Sequence, residues 1–232
     1  MTKPALHTNR KGSRLSNYLS SLGVSQHKPS QQNFAERVGE LIGLPGSLVL
    51  SSAPLKVKPQ PTASSDQGIQ DLFLEQHNQL VQFIAACFDG SETRRRFQLP
   101  SIHQDTEKPL TDLKRFYINV QTELAGQVYK LHILIKDAAA DISPHLKQLC
   151  TLDSAMSDIL SNHIKRSFSS IPNHLDQRFQ YWQQHSDDNF ENAISNFCQE
   201  LQQLLLAELD ARLQTTYGLI EAVNEQVSTS ND

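Results

Sequence analysis

Nine histidines are the residues whose chemistry needs accounting for first, because imidazole both ligates metals and exchanges protons near neutral pH. They fall at positions 7, 27, 77, 103, 132, 145, 163, 174 and 185. No two lie three or four residues apart, so no single helix face presents a pair to one ion. None closes a Glu-x-x-His pair, the spacing of helical di-iron proteins. Cys87, Cys150 and Cys198 form no Cys-x-x-Cys, and each falls in an apolar helical pattern, which reads as a small buried hydrophobe. The glycines make no phosphate-cradling run; Gly39, Gly43 and Gly46 punctuate a helix end. Gly-x-Ser-x-Gly is absent too. The expectation is a non-enzymatic chain with no catalytic residue, no cofactor and no metal.

Charge gives more positive signals. "TRRRF" at 93–97 sets Arg94, Arg95 and Arg96 side by side in a polar stretch, a cluster suited to phosphates or an acidic partner. "LLLAELDARLQ" at 204–214 places Glu208, Asp210 and Arg212 beside a leucine face. Glu208 and Arg212 are one helical turn apart and are expected to pair on the surface, where the acids would make a docking edge for a basic partner. Residues 1–60 hold eight Lys/Arg against two acids, and residues 187–232 hold nine acids against Arg212. Such asymmetry can orient association with a partner or with a second copy. Two short helices over 13–44 also raise a helix-turn-helix, but "GVSQHKPS" is long for its turn and the second helix offers few base-reading side chains. Nucleic acid is the alternative partner rather than the leading one.

The elements that carry these residues read as helices throughout. Residues 1–12 form a basic, loose tail, 13–53 short helices, and 54–68 ("PLKVKPQPTASSDQG") a proline-rich linker. Residues 69–225 form an antiparallel bundle of longer helices with a mobile loop over 90–109, and 226–232 are a polar tail. The longest periodic run is Leu110, Leu113, Tyr117, Val120, Leu124, Gln127, Leu131, Leu134 and Ala138, in steps of three and four. Within it "VYKLHILI" at 128–135 is β-rich by local preference, yet the heptads predict helix. Ser143 caps the next helix with Pro144 at its first position. Its inward row is Leu146, Leu149, Leu152, Met156, Leu160, Ile164, Phe168 and Ile171. Asp187 or Asp188 caps the last helix, which runs from Phe190 past Leu213. The fold class is all-α. No apolar run approaches the ~20 residues that span a bilayer, and there is no signal-peptide pattern, so cytoplasmic residence without membrane insertion is expected.

Three segments resemble one family when taken in order. "LSNYLSSLGVSQHKPSQQNFAERVGELIGL" (15–44), "LDSAMSDIL" (152–160) and "LLLAELDARLQTTYGLIEAV" (204–223), with the weaker "HLDQRFQYWQQ" (174–184), are similar to a bacterial family catalogued as domain of unknown function 3348. The resemblance covers about a third of the residues. It implies a cytoplasmic helical protein without a known ligand or activity, and by gene neighbourhood an accessory docked to an envelope or motor-like membrane complex. Thr215 and Thr216 stand where the family pattern has proline, which predicts a last helix running unbroken to Gly218. The leading expectation is a helical interaction or scaffold protein that binds another protein or itself. The alternative is a nucleic-acid-associated regulator using residues 1–60.

Overall fold

The structure is a computed structural model that describes residues 66–92, 94–186 and 189–230, together with Leu15, Tyr18 and Leu19. The expected basic tail, nearly all of the short N-terminal helices and most of the linker lie outside the described residues. From Asp66 onward there are six α-helices and no strand among them: α1 (Asp66–Asp89), α2 (Pro109–Ala140), α3 (Pro144–Ser169), α4 (Leu175–His185), α5 (Phe190–Arg212) and α6 (Gln214–Ser230). Short 3₁₀ turns at Arg95–Phe97 and Ile171–His174 sit in the connections. The all-α reading holds, and the β-rich "VYKLHILI" is helical within α2.

Local chemistry sets the ends. Gly90 leaves α1 at φ +80, a conformation that costs an L side chain but not glycine. Ser143 caps α3 as expected, its hydroxyl accepting from the Leu146 amide at 3.1 Å, with Pro144 in the first turn. The cap of α5 is Asn189, whose side chain accepts from the amides of Glu191 and Asn192, and not Asp187 or Asp188. An Asn carbonyl serves there as well as a carboxylate.

Helix α2 is the centre of the packing and touches the other five helices. Its buried stripe runs Leu113, Tyr117, Val120, Leu124, Val128, Leu131, Ile135 and Ala139. That matches the expected row only up to Leu124 and at Leu131; beyond Leu124 the inward residues are Val128, Ile135 and Ala139, while Leu134 is 46% exposed. An eleven-residue spacing links Leu113 to Leu124 to Ile135, the repeat of a helix that does not supercoil left-handedly. A strict heptad seam suits one partner along one line, whereas α2 is covered by several helices at once.

Helix α3 folds back antiparallel to α2. Lys136 meets Ser154, His132 meets Asp153, and Gln121 reaches the Phe168 carbonyl. Its expected apolar row is only partly covered: Leu146 and Ile171 are buried, but Leu152 and Ile164 are 40% and 45% exposed. The cause is that α3 rests mainly on α2, with slighter contact to α6 and the second 3₁₀ turn, so one neighbour covers a narrow strip. The last helix does not run unbroken to Gly218; it turns at Leu213, between α5 and α6. Leu213 keeps near-helical angles and donates to Leu209, and Tyr217 donates back to Leu213. Across the bend the chain leaves α4 and gains α3 while keeping α1 and α2, to which α6 is tied through Gln70–Asn224 and Thr216–His132.

Three substitutions test this packing by urea unfolding. Ile135→Ala empties a fully buried position and is expected to cost about 2–5 kcal/mol. Leu134→Ala should cost less than about 1 kcal/mol; equal losses would restore the heptad seam. Gly126, exposed in mid-α2 with nothing near an added Cβ, should gain about 0.5–1 kcal/mol as alanine.

Candidate functional site

Arg95 and Arg96 sit on the first 3₁₀ turn, with Arg94 just before it, and the buried Phe97 pins the turn to the core. The Phe97 ring meets Phe83 edge-on at 5.4 Å, and the Leu99 amide donates to the Cys87 carbonyl at 3.0 Å. The stretch expected to be a mobile loop over 90–109 is thus anchored at its middle. Arg94 and Arg96 flank the Phe97 ring, their guanidinium carbons 4.7 and 4.4 Å from its centroid. Both turn toward Glu123 on α2, Arg96 at 3.2 Å and Arg94 at 4.0 Å, and Arg94 also pairs with Glu92 at 3.1 Å.

Arg95 is left pointing elsewhere. It lines a cleft of about 400 Å³ with Arg96, Gln98, Ser101, Arg115 and Asn119. Arg115 and Asn119 are one turn apart on α2, and the Asn119 amide donates to the Arg96 carbonyl at 3.2 Å, tying the turn to the helix. Among the described residues neither Arg95 nor Arg115 has a side-chain hydrogen bond or ion pair. Asp112 is the carboxylate that lines the cleft. What this arrangement can do chemically is hold an anion: two arginines without an ion pair line it, and a guanidinium is a planar fork able to grip a carboxylate or phosphate with two hydrogen bonds.

Glu208 and Arg212 do pair, at 3.2 Å, but inside the protein rather than on its surface. Glu208 is 1% exposed. Its carboxylate accepts from the Tyr117 hydroxyl and twice from the Gln121 amide, at 2.9 and 3.0 Å. Arg212 lies over the Phe168 ring, 3.7 Å from its centroid. Burial pushes the Glu208 carboxyl up, and the bonds from Tyr117, Arg212 and Gln121 pull it back only in part. Burial and the neighbouring carboxylate raise the Tyr117 hydroxyl well above its ordinary value. Asp210 is half-buried, and of the three residues of the expected docking edge Glu208 presents no surface to a partner.

A second buried carboxylate, Glu200, is gripped by Arg178 at 2.7 and 2.8 Å and by the Trp182 indole at 2.7 Å. Tyr18 donates to the Glu200 carbonyl at 3.3 Å, and burial pushes its hydroxyl up to about 12. His132 bridges three helices through Asp153 at 2.8 Å and Thr216 at 3.1 Å. Thr216 is fully buried, which makes the bridge a strut and gives its hydroxyl no access to a substrate. Cys87, Cys150 and Cys198 are buried thiols pushed up to about 12, 11 and 11, chiefly by burial. Among the described residues no three His, Cys, Asp or Glu side chains gather as metal ligands, and no helix is long and apolar enough to cross a membrane.

The sequence reading missed Arg115, Asn119, Gln98 and Ser101. Arg115 and Asn119, four apart on a predicted helix, were the available signal; that they meet the 93–97 cluster is a tertiary fact. A family model described as "Protein of unknown function (DUF3348)" matches residues 1–225. No curated protein and no solved structure matches.

The Glu208 network has a pH signature. A carboxyl raised by folding keeps a proton that the unfolded chain has already released, so its stabilising share is complete below its ordinary value of 4.5 and is lost as pH rises through the raised one. Relative to Glu208→Gln, which does not titrate there, the wild-type advantage in unfolding free energy should be largest in acid and shrink toward neutrality. Urea unfolding from about pH 4 to about pH 8 measures it; an advantage that grows with pH would mean that the hydrogen bonds outweigh burial.

Proposed function

The chain belongs to the DUF3348 family, and from that premise we propose that it is a non-enzymatic interaction protein that docks an acidic protein partner on its arginine cleft. One observation carries the reading. Arg95 and Arg115 face a common cleft with no partner of their own, while Arg94 and Arg96 beside them are held by Phe97 and Glu123. An exposed arginine is ordinary; two lining one cleft from different elements, one of them on a turn anchored in the core, concentrate positive charge at one place. Holding the turn in advance lowers the entropy that binding must overcome. Exposed apolar side chains on α2, Ile118 and Tyr129 at 42% and 66%, add area that a scaffold could use.

The nucleic-acid alternative rests on residues 1–60, which apart from Leu15, Tyr18 and Leu19 lie outside the described residues. An acidic protein surface fits the cleft better than a phosphate backbone does, because Asp112 stands in its lining and would repel a continuous run of phosphates. A partner with discrete carboxylates can avoid it.

Crosslinking in the native cell, with the membrane fraction included, tests the reading. The full chain should yield a protein adduct, and Arg95→Glu combined with Arg115→Glu should abolish it while leaving the helical circular dichroism intact. Adducts indifferent to the charge reversal, or none at all from a strictly monomeric chain, would sink the proposal.

A further inference from the structure

The arginine cleft does not end at its own rim. Leu99, in its lining, also lines a second groove of about 430 Å³, walled by Phe88, Ile102 and Ile194. The partition between the two is aromatic: Phe116 on the arginine side meets Phe88 on the groove side edge-on at 5.1 Å. A charged cleft and an apolar groove that share a wall can be filled by one chain passing over Leu99.

We infer that the two form a single recognition surface for an extended partner segment in which an acidic residue lies close to a bulky aliphatic one. This rests on the reading of the cleft as an acid-binding site and names what occupies the groove beside it. Charge complementarity commits the occupant. Arg95 and Arg115 take the carboxylate in forked hydrogen bonds, and the aliphatic side chain leaves water by entering among Ile102, Ile194 and Leu99. Charge also settles which end of the surface takes the acid. Glu191 lines the groove, so a second carboxylate placed there would be repelled, and the acid is driven to the arginine end. Gln199 and Gln202 also line the groove. Among the described residues their side-chain amides make no hydrogen bond, and each offers both a donor and an acceptor to a passing backbone. The pattern is that of peptide recognition in which main-chain bonds hold the segment and side-chain pockets choose it.

The experiment is fluorescence anisotropy of short labelled peptides titrated with the full chain. A peptide with one acidic residue beside a leucine should bind saturably. Replacing its leucine by serine should weaken binding about tenfold or more, as expected for a buried leucine side chain. On the protein, Arg95→Gln and Arg115→Gln should each weaken it about tenfold or more. Ile102→Ser and Ile194→Ser, both at half-buried positions packed against the core, should do the same while leaving the helical circular dichroism intact. If the serine peptide binds as well as the leucine peptide, or the isoleucine variants bind normally, the joint surface is wrong while the acid-binding cleft stands. If no peptide saturates although the crosslinked adduct still depends on Arg95 and Arg115, the segment idea fails and the docking reading survives. Preference for a single-stranded oligonucleotide of equal charge would overturn both.

Discussion

A carboxylate with almost no water around it dictates how α2 and α5 meet. Glu208 sits in the middle of a leucine-rich helix face, and leaving such a charge unpaired would cost several kcal/mol. Its partners therefore cannot be approximate. Tyr117 and Gln121 stand one turn apart on α2, Arg212 one turn on along α5, and the end of α3 adds the Phe168 ring over Arg212. Sliding α2 along α5 by a turn would put Gln121 where Tyr117 stands and strand the charge. Leucine faces alone tolerate such slips, since one apolar contact is much like the next. Glu200, two turns earlier, applies the same constraint to α4 through Arg178 and Trp182. Two acids on one helix thus set the registers of both its polar interfaces.

That constraint explains what the apolar pattern could and could not reveal. Leu113 to Leu124 read correctly as inward because heptad and straight-helix repeats agree over so short a run. They part after Leu124, where the inward positions become Val128 and Ile135. Which repeat wins depends on how many neighbours the helix has, and a single sequence does not state that. Helix α3 shows the opposite case. Its periodic leucines promised a buried row, yet with chiefly α2 beneath it Leu152 and Ile164 stay exposed.

Polar residues were the least legible. Helix boundaries at Ser143, Pro144 and Gly90 follow from local backbone chemistry, so they could be read from neighbours in sequence. The i,i+4 pairing of Glu208 with Arg212 was legible for the same reason. Its burial was not, because a Glu among leucines is surface or core depending on whether another helix brings donors. Arg95 and Arg115 line one cleft because the 3₁₀ turn, with Phe97 buried, packs against α2. Three arginines in a row announced charge; which of them would be spent on Glu123 and which left over depended on the turn.

The contrast between inside and outside is what gives the cleft its meaning. Within the core the charged groups are matched: Glu208 with Arg212, Glu200 with Arg178. At the rim Glu123 engages Arg94 and Arg96, so acids are near at hand and arginines do find them. Arg95 and Arg115 are passed over despite Asp112 lining the same cleft. Exposed ion pairs are worth so little, about 0–1 kcal/mol, that leaving two guanidiniums open costs the fold almost nothing. The same groups count for more against an incoming carboxylate that displaces water from the cleft, since charge attracts more strongly as the dielectric falls. On the proposed reading such a site costs the fold little to keep open and would strengthen when filled, on a turn that Phe97 already anchors to the core.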